Sequence, residues 1–479
     1  MNFFDYGFIF FFMPAVVAGA VLSRRLGQTW QFGFLILASV FFYCTWETAA
    51  PLLLVISICL NYLCGHHLHR NPDRMLLAVG VGANLAALGY YKYSGFFAEN
   101  LSRLIALPPM AEVILPLGIS FFTFQQISYL VDSYRRQAGE PRFLPYALFI
   151  SFFPHLVAGP IVLQSDLLRQ LQRTRALLIG WRHIAMGLGF FIIGLAKKLV
   201  IADSFAAYAT PVFAKAAGAA VSAAEAWQAA LAYTFQIYFD FSGYSDMAIG
   251  LAFCLGVRLP FNFASPYRSL SIAEFWRRWH MSLSRFLRHY LYIPLGGSRG
   301  GLAVTYRNLL IVMMLGGLWH GASWNFVLWG GLHGGLLVVN HAWRRIAGSP
   351  EDSSSGYQAL AWTLTFTAVV FTWVPFRAPD MATTLAIWRG MIGLGAGNAP
   401  ALSPVFWTMA LAALVGCLAL PNSQQIVLGR RRGVPADRRA RFVWRPTPAW
   451  GFALGLLLAL ALAWTWPIDT PPEFIYFNF

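Results

Sequence analysis

The sequence predicts an all-α, multi-pass integral membrane protein, and three observations carry that expectation. The chain is 58% hydrophobic and only 11% charged over 479 residues, a balance that soluble domains of this length do not keep. Apolar runs near spanning length recur from end to end, among them Tyr6 to Leu22, Pro51 to Leu63, Met75 to Tyr90, Trp181 to Ile201, Leu360 to Val374 and Trp450 to Trp464. The 35 Lys and Arg, against 19 Asp and Glu, fall between those runs instead of forming one patch. That distribution reads as cytoplasmic loops in contact with membrane lipids, not as a nucleic-acid surface.

In chain order, Arg24 and Arg25 follow the first apolar run and no basic stretch precedes it, which predicts an uncleaved first span. His66, His67 and His69 lie on what reads as a short basic loop; the run looks like metal ligands but has no acidic or cysteine partners beside it, and no metal is expected. Residues Phe143 to Leu163 look like a span, yet arginines flank both sides: Arg135, Arg136 and Arg142 before, Arg169, Arg173 and Arg175 after. A full crossing would put one group on the wrong face, and Pro154, Gly159 and Pro160 break a helix. The segment is therefore expected to be re-entrant, with about twelve spans elsewhere. Gly348 to Gly356 reads as a Ser-rich mobile loop, Arg430 to Arg445 as the most basic cytoplasmic connection, and Pro467 to Phe479, with Asp469 and Glu473, as a short outward extension. Both chain ends are expected to face outward. The five cysteines lie without CxxC pairing, so no disulfide framework is expected. No soluble domain or internal repeat is visible, and residues 1–479 are expected to form a single membrane-embedded domain.

The longest stretch without a clear span, Arg258 to Arg307, holds the densest chemistry. Ser271 with Glu274 three residues on is a helix-start signal. Continued as one helix to Arg288, the segment places Arg277, Arg278, Arg285 and Arg288 in a sector of about 100°, opposite Phe275, Trp276, Trp279, Leu283, Phe286 and Leu287. This predicts an amphipathic interfacial helix with His280 and Ser284 on its seam. Tyr292 to Gly301 follows as a turn-rich loop suited to close approach by a ligand.

His320 lies in the apolar stretch Met313 to Trp324, flanked by glycines that let other molecules approach. An ionisable group at membrane depth is a candidate functional residue, because a polar group left unpaired in hydrocarbon costs several kcal/mol. Trp319, Ser323 and Asn325 are its nearest neighbours able to form hydrogen bonds.

Four blocks together resemble the membrane-bound O-acyltransferase family, in its bacterial branch of alginate O-acetylation and teichoic-acid D-alanyl transfer proteins. They are Phe153-Pro154-His155-Leu156-Val157-Ala158-Gly159-Pro160, Tyr238 to Met247, Pro260-Phe261-Asn262-Phe263 with Glu274 to His280, and Leu318-Trp319-His320-Gly321. The resemblance covers nearly the whole chain, with a family-like core at about residues 113–343 and C-terminal helices at 358–466. It implies transfer of an acyl group, usually acetyl, across the inner membrane of a bacterium towards an exported polysaccharide such as alginate. A separate periplasmic, esterase-like (SGNH-type) acetyltransferase partner is implied as well. The family's characteristic histidine matches His320, and the second polar position of its site matches His280. His289 stands where many relatives have Asp before Tyr-Leu-Tyr, which puts any family role for Arg288 in question.

The chemistry follows from the residues. An acyl thioester needs a hydroxyl made nucleophilic, and a neutral imidazole, with an ordinary pKa of about 6.5, can take that proton. His320 is expected to be the base and His280 to position donor or acceptor. Acetyl-CoA is the expected donor substrate, with no resident cofactor. Its phosphates would suit Arg277, Arg278, Arg285 and Arg288, with Ser284, Ser323, Asn325 and Trp319 also in the binding set. Plainer readings stand beside these: His280 and His155 as polar anchors, the arginines as positive-inside residues reaching the headgroups, and Asp240 and Asp246 as structural pairs within the bundle. Two other functions share the same features: a flippase for a lipid-linked glycan, and D-alanyl transfer from a carrier protein.

Overall fold

The computed structural model describes all residues except 47–49, 106–112, 138–141, 173–176, 349, 351–352, 396–402, 430–442, 465–473 and 476–479. Arg173, Arg175, Asp469, Glu473 and most of the basic connection lie outside the described residues. Those described form helices and turns, with no strand among them. The protein is thus an all-α, multi-pass membrane protein. Among the described residues, five helices are long and apolar enough to cross a bilayer: Phe8–Leu26, Ala50–Arg70, Trp181–Ala216, Gly301–His320 and Ser355–Arg377. Gln28–Cys44, Pro404–Ala419 and Pro448–Trp464 are shorter apolar helices. These are fewer than the twelve spans expected. One reason is that Ile119–Tyr134 hides polar residues, Gln125, Gln126 and Asp132, in a buried helix, where hydropathy does not register it as a span.

The chain gathers into two compact units, one of residues Met1–Leu195 and Tyr244–Phe261, the other of Ala196–Gly243 and Asn262–Phe479. In the first unit, α1 (Ala50–Arg70) and α2 (Ile119–Tyr134) lie against each other. His66, His67 and His69 belong to α1 and not to a loop, with His67, His69 and Arg70 in its last turn. Residues 143–163 break where their prolines require. α3 (Phe143–Ser151) stops, Phe152 turns out of helical geometry, and α4 (Phe153–Leu156) begins with Pro154 in its first turn. The chain then runs without helix through buried Val157 to Leu163. The freed backbone finds partners, as with Phe153 N–H on Ser39 Oγ at 3.1 Å. His155 is fully buried, its Nδ1 2.9 Å from Gln125 Nε2.

In the second unit, Lys197–Ala202 form a π-turn. There Lys198 Nζ lies 2.7 Å from Asp203 Oδ1 and 2.8 Å from Asp240 Oδ1, with Lys198 2% and Asp240 1% exposed. Asp240 Oδ2 also accepts the Ile475 N–H at 3.0 Å. Asp240 is thereby paired within the bundle, as the plainer reading of it has it. Of the segment Pro467 to Phe479, expected as a short outward extension, the structure describes Phe474 and Ile475. Phe474 is fully buried, with its ring 6.5 Å from that of Phe241.

Candidate active site

The expected helix from Ser271 to Arg288 is two helices. α5 (Ile272–Arg278) is capped as anticipated, Ser271 Oγ accepting the Glu274 N–H at 3.2 Å. It ends at Trp279, which is extended, and α6 (Met281–Leu287) starts after His280, whose backbone is left-handed at φ 41°, ψ 51°. The break is held by one short segment: Ala264 N–H donates to Arg278 O at 2.9 Å, Met281 N–H to Asn262 O at 3.0 Å, and Ser282 Oγ to Asn262 Oδ1 at 2.6 Å. Those long-range bonds outweigh the local preference to continue the helix. A non-glycine residue held left-handed costs about 1–3 kcal/mol and persists only where its surroundings fix it. Here the strain swings His280 off an interfacial seam and into the protein, where it is fully buried.

The arginine sector computed for one helix therefore does not hold. Arg277 and Arg288 are exposed. Arg278 is half-buried and committed to structure, 2.7 Å from Glu274 Oε1 and donating to Ala264 O at 3.0 Å. Arg285 is half-buried on α6, its carbonyl accepting from His289 Nδ1 at 2.8 Å, and Ser284 Oγ donates to Trp276 O at 3.3 Å. In the glycine loop after α6, Asn308 Nδ2 donates to Leu295 O at 3.1 Å and Gly297 O at 2.9 Å, so those carbonyls are fastened from within the fold.

His320 ends α7 (Gly301–His320), and α8 (Trp324–Ala347) begins four residues later. The glycines beside His320 admit this neighbouring helix, not a ligand. A Cβ on Gly317 would lie 2.1 Å from Phe326 O, one on Gly330 would lie 2.3 Å from Met313 O, and one on Gly321 would meet the Phe326 ring. Small residues let membrane helices approach closely, which fixes where His320 stands. Gly317→Ala is expected to splay α7 from α8 and to cost about 1–3 kcal/mol, as overpacking does. Thermal unfolding in detergent should show a lower midpoint for Gly317→Ala and none for Gly331→Ala, whose added methyl meets nothing within 4 Å.

The two imidazoles come together. The ring centroids of His280 and His320 are 6.1 Å apart, and Trp319 touches both, at 6.2 Å and 5.0 Å. Phe241 meets His280 edge-on at 4.8 Å, while Trp329 and Phe376 meet His320 at 5.2 Å and 5.0 Å. His280 is 0% and His320 3% exposed, so both rings are buried in the protein. Burial pushes the His280 imidazole down to about 3, which keeps it neutral at working pH. Ser323 and Asn325 are engaged in helix ends: Ser323 Oγ accepts the Asn325 N–H at 3.1 Å, and Asn325 Nδ2 donates to Ala378 O at 2.9 Å.

Sequence reasoning missed His333, fully buried on α8, whose Nδ1 accepts the Trp276 indole N–H at 3.3 Å. It also missed the aromatic wall of Trp276, Trp329, Trp373 and Phe376. A signal was present: Asn325, Trp329 and His333 recur every four residues and so share one face of an apolar helix.

A multi-pass helical membrane protein with two imidazoles paired inside a buried aromatic chamber is a setting for proton transfer sheltered from water. Residues 28–377 match the membrane-bound O-acyltransferase family, and the chain belongs to it. It is an acyltransferase enzyme, as the four sequence blocks implied. The chain is similar to the peptidoglycan O-acetyltransferase of Helicobacter pylori, 42% identical over 419 residues that cover 81% of this chain and 79% of the relative. It is 40% identical over 400 residues to the protein named "Probable alginate O-acetylase AlgI" of Pseudomonas putida, again covering 81% and 79%. The teichoic acid D-alanyltransferase of Streptococcus thermophilus is 27% identical over 290 residues, 54% of this chain and 68% of the relative.

Proposed function

We propose that this enzyme moves an acetyl group from cytoplasmic acetyl-CoA across a bacterial inner membrane for O-acetylation of an exported polysaccharide such as alginate or peptidoglycan. The pairing of His280 with His320, 6.1 Å apart in one buried chamber, carries the reading. His320 takes the proton from an acceptor hydroxyl as its oxygen attacks the thioester carbonyl carbon; the carbon–sulfur bond then breaks and the thiolate of CoA leaves. A positioned base of this kind contributes about 10² to 10⁴ in rate. His280, neutral and fixed by its backbone, orients the reacting groups. Exposed Arg277 and Arg288 suit the donor's phosphates, with Arg285 and Ser284 between them on the same segment. A periplasmic SGNH-type acetyltransferase completes delivery to the polymer.

The relatives favour acetyl over D-alanyl, since the two named as O-acetylating proteins are 40% identical or more across four-fifths of the chain and the D-alanyl relative is 27% identical across about half. Family membership favours acyl transfer over glycan flipping. Inverted membrane vesicles given radiolabelled acetyl-CoA should pass label to an acceptor polymer. Absence of label with acetyl-CoA, and its appearance with a D-alanyl carrier protein, would replace the donor proposed here.

A further inference from the structure

Two buried hydrogen-bond donors on α8 lack acceptors. Trp329 is 1% and His333 0% exposed, and their rings lie 4.8 Å apart. An indole nitrogen only donates, so the Trp276 N–H on His333 Nδ1 places the proton of the neutral ring on Nε2. Neither that Nε2 nor Trp329 Nε1 has a partner among the described residues. A buried donor with nothing to bond is destabilising, and a native fold keeps one for a reason. Trp329 also meets the His320 ring edge-on, at 5.2 Å and 90°. Ser323 and Asn325, the polar residues placed in the binding set beside His320, have their hydrogen bonds at helix ends. Trp329, against the proposed base, and His333, one turn further along α8, each keep a donor without a partner among the described residues.

We propose that Trp329 Nε1–H receives the carbonyl oxygen of the acyl thioester at His320, and that His333 Nε2–H receives a second carbonyl further along the same donor molecule. The inference rests on the proposed acyl-transfer reading. As the acceptor oxygen attacks, negative charge collects on the thioester oxygen, and a fixed donor there stabilises it more than it stabilises the ground state. The bond to Trp329 then relaxes as the carbonyl re-forms and the thiolate departs. One turn of helix separates the two donors, so a single extended ligand can meet both.

The test uses the full-length enzyme with its partner in membranes. Trp329→Phe keeps the ring and removes the N–H; it should lower kcat by about 10² or more with little change in KM. His333→Phe should raise KM for the donor, and His333→Asn, which restores an N–H, should recover part of the loss. Binding of S-acetonyl-CoA, which keeps a carbonyl near the sulfur, should exceed that of S-propyl-CoA, which has none. Trp329→Phe should abolish that preference. Trp329→Phe with wild-type turnover, or with an undiminished preference for the acetonyl compound, overturns the assignment. His320→Ala, run alongside, separates the two failures: if it stays active, His320 is not the base and the reading of this chamber as the acyl-transfer site falls; if it is dead while Trp329→Phe is normal, this inference alone falls.

Discussion

Replacing His320 by Ala lowers polymer acetylation by about 10² to 10⁴ while the protein still inserts in the membrane. The size of the loss follows from what is removed: the neighbouring imidazole, His280, has its ring centroid 6.1 Å away and sits on a left-handed backbone held by Asn262 and Ala264. The ring is 3% exposed, so its deletion also leaves a cavity, and His320→Gln is the companion variant that fills most of that volume without supplying a base. Both variants should elute as single species and both should be inactive. Full activity in either removes His320 as the base.

The second large effect is on stability. Lys198→Met leaves Asp240, 1% exposed, facing Asp203 with no cation between them. Removing one partner of a buried pair costs about 3–5 kcal/mol, chiefly because the remaining charge has lost its counter-ion inside a low-dielectric interior. The π-turn that holds Lys198 and the bond from Asp240 to Ile475 N–H would both be disturbed. Thermal unfolding should show a large drop for Lys198→Met and partial recovery when Asp240→Leu is added. An unchanged midpoint for the single variant would show that the cluster is not held together by charge. Because Phe241, next in sequence, meets His280 edge-on, activity should fall with the midpoint and return with it.

Class and location were legible because hydropathy and the placement of arginines are local signals. So was the interruption near Pro154, since a proline's lost donor and a glycine's freedom act within a turn of where they occur. His280 and His320 were found through motif likeness together with the scarcity of ionisable groups in apolar sequence. What escaped notice depends on distant segments. Nothing between Ser271 and Arg288 says that Asn262 and Ala264 will fasten the chain at Met281 and Arg278 and split the helix. Hydrophobic periodicity placed the arginines correctly for a helix that the fold does not make. The glycines around His320 were noticed, but their use was misjudged: in a membrane the nearest visitor to a small residue is another helix. His333 was passed over because its neighbours Trp276 and Trp329 are remote in one case and a turn away in the other, and only packing shows the three rings as one wall.

The left-handed backbone at His280 also governs what mutagenesis can say about that position. Alanine there changes two things at once, the imidazole and the energetic penalty of the backbone hand, and a β-branched residue would be worse. Asparagine tolerates that region far better. A survey of substitutions at this site will therefore rank residues by main-chain tolerance as much as by chemistry, and asparagine is the comparison that reads the side chain alone.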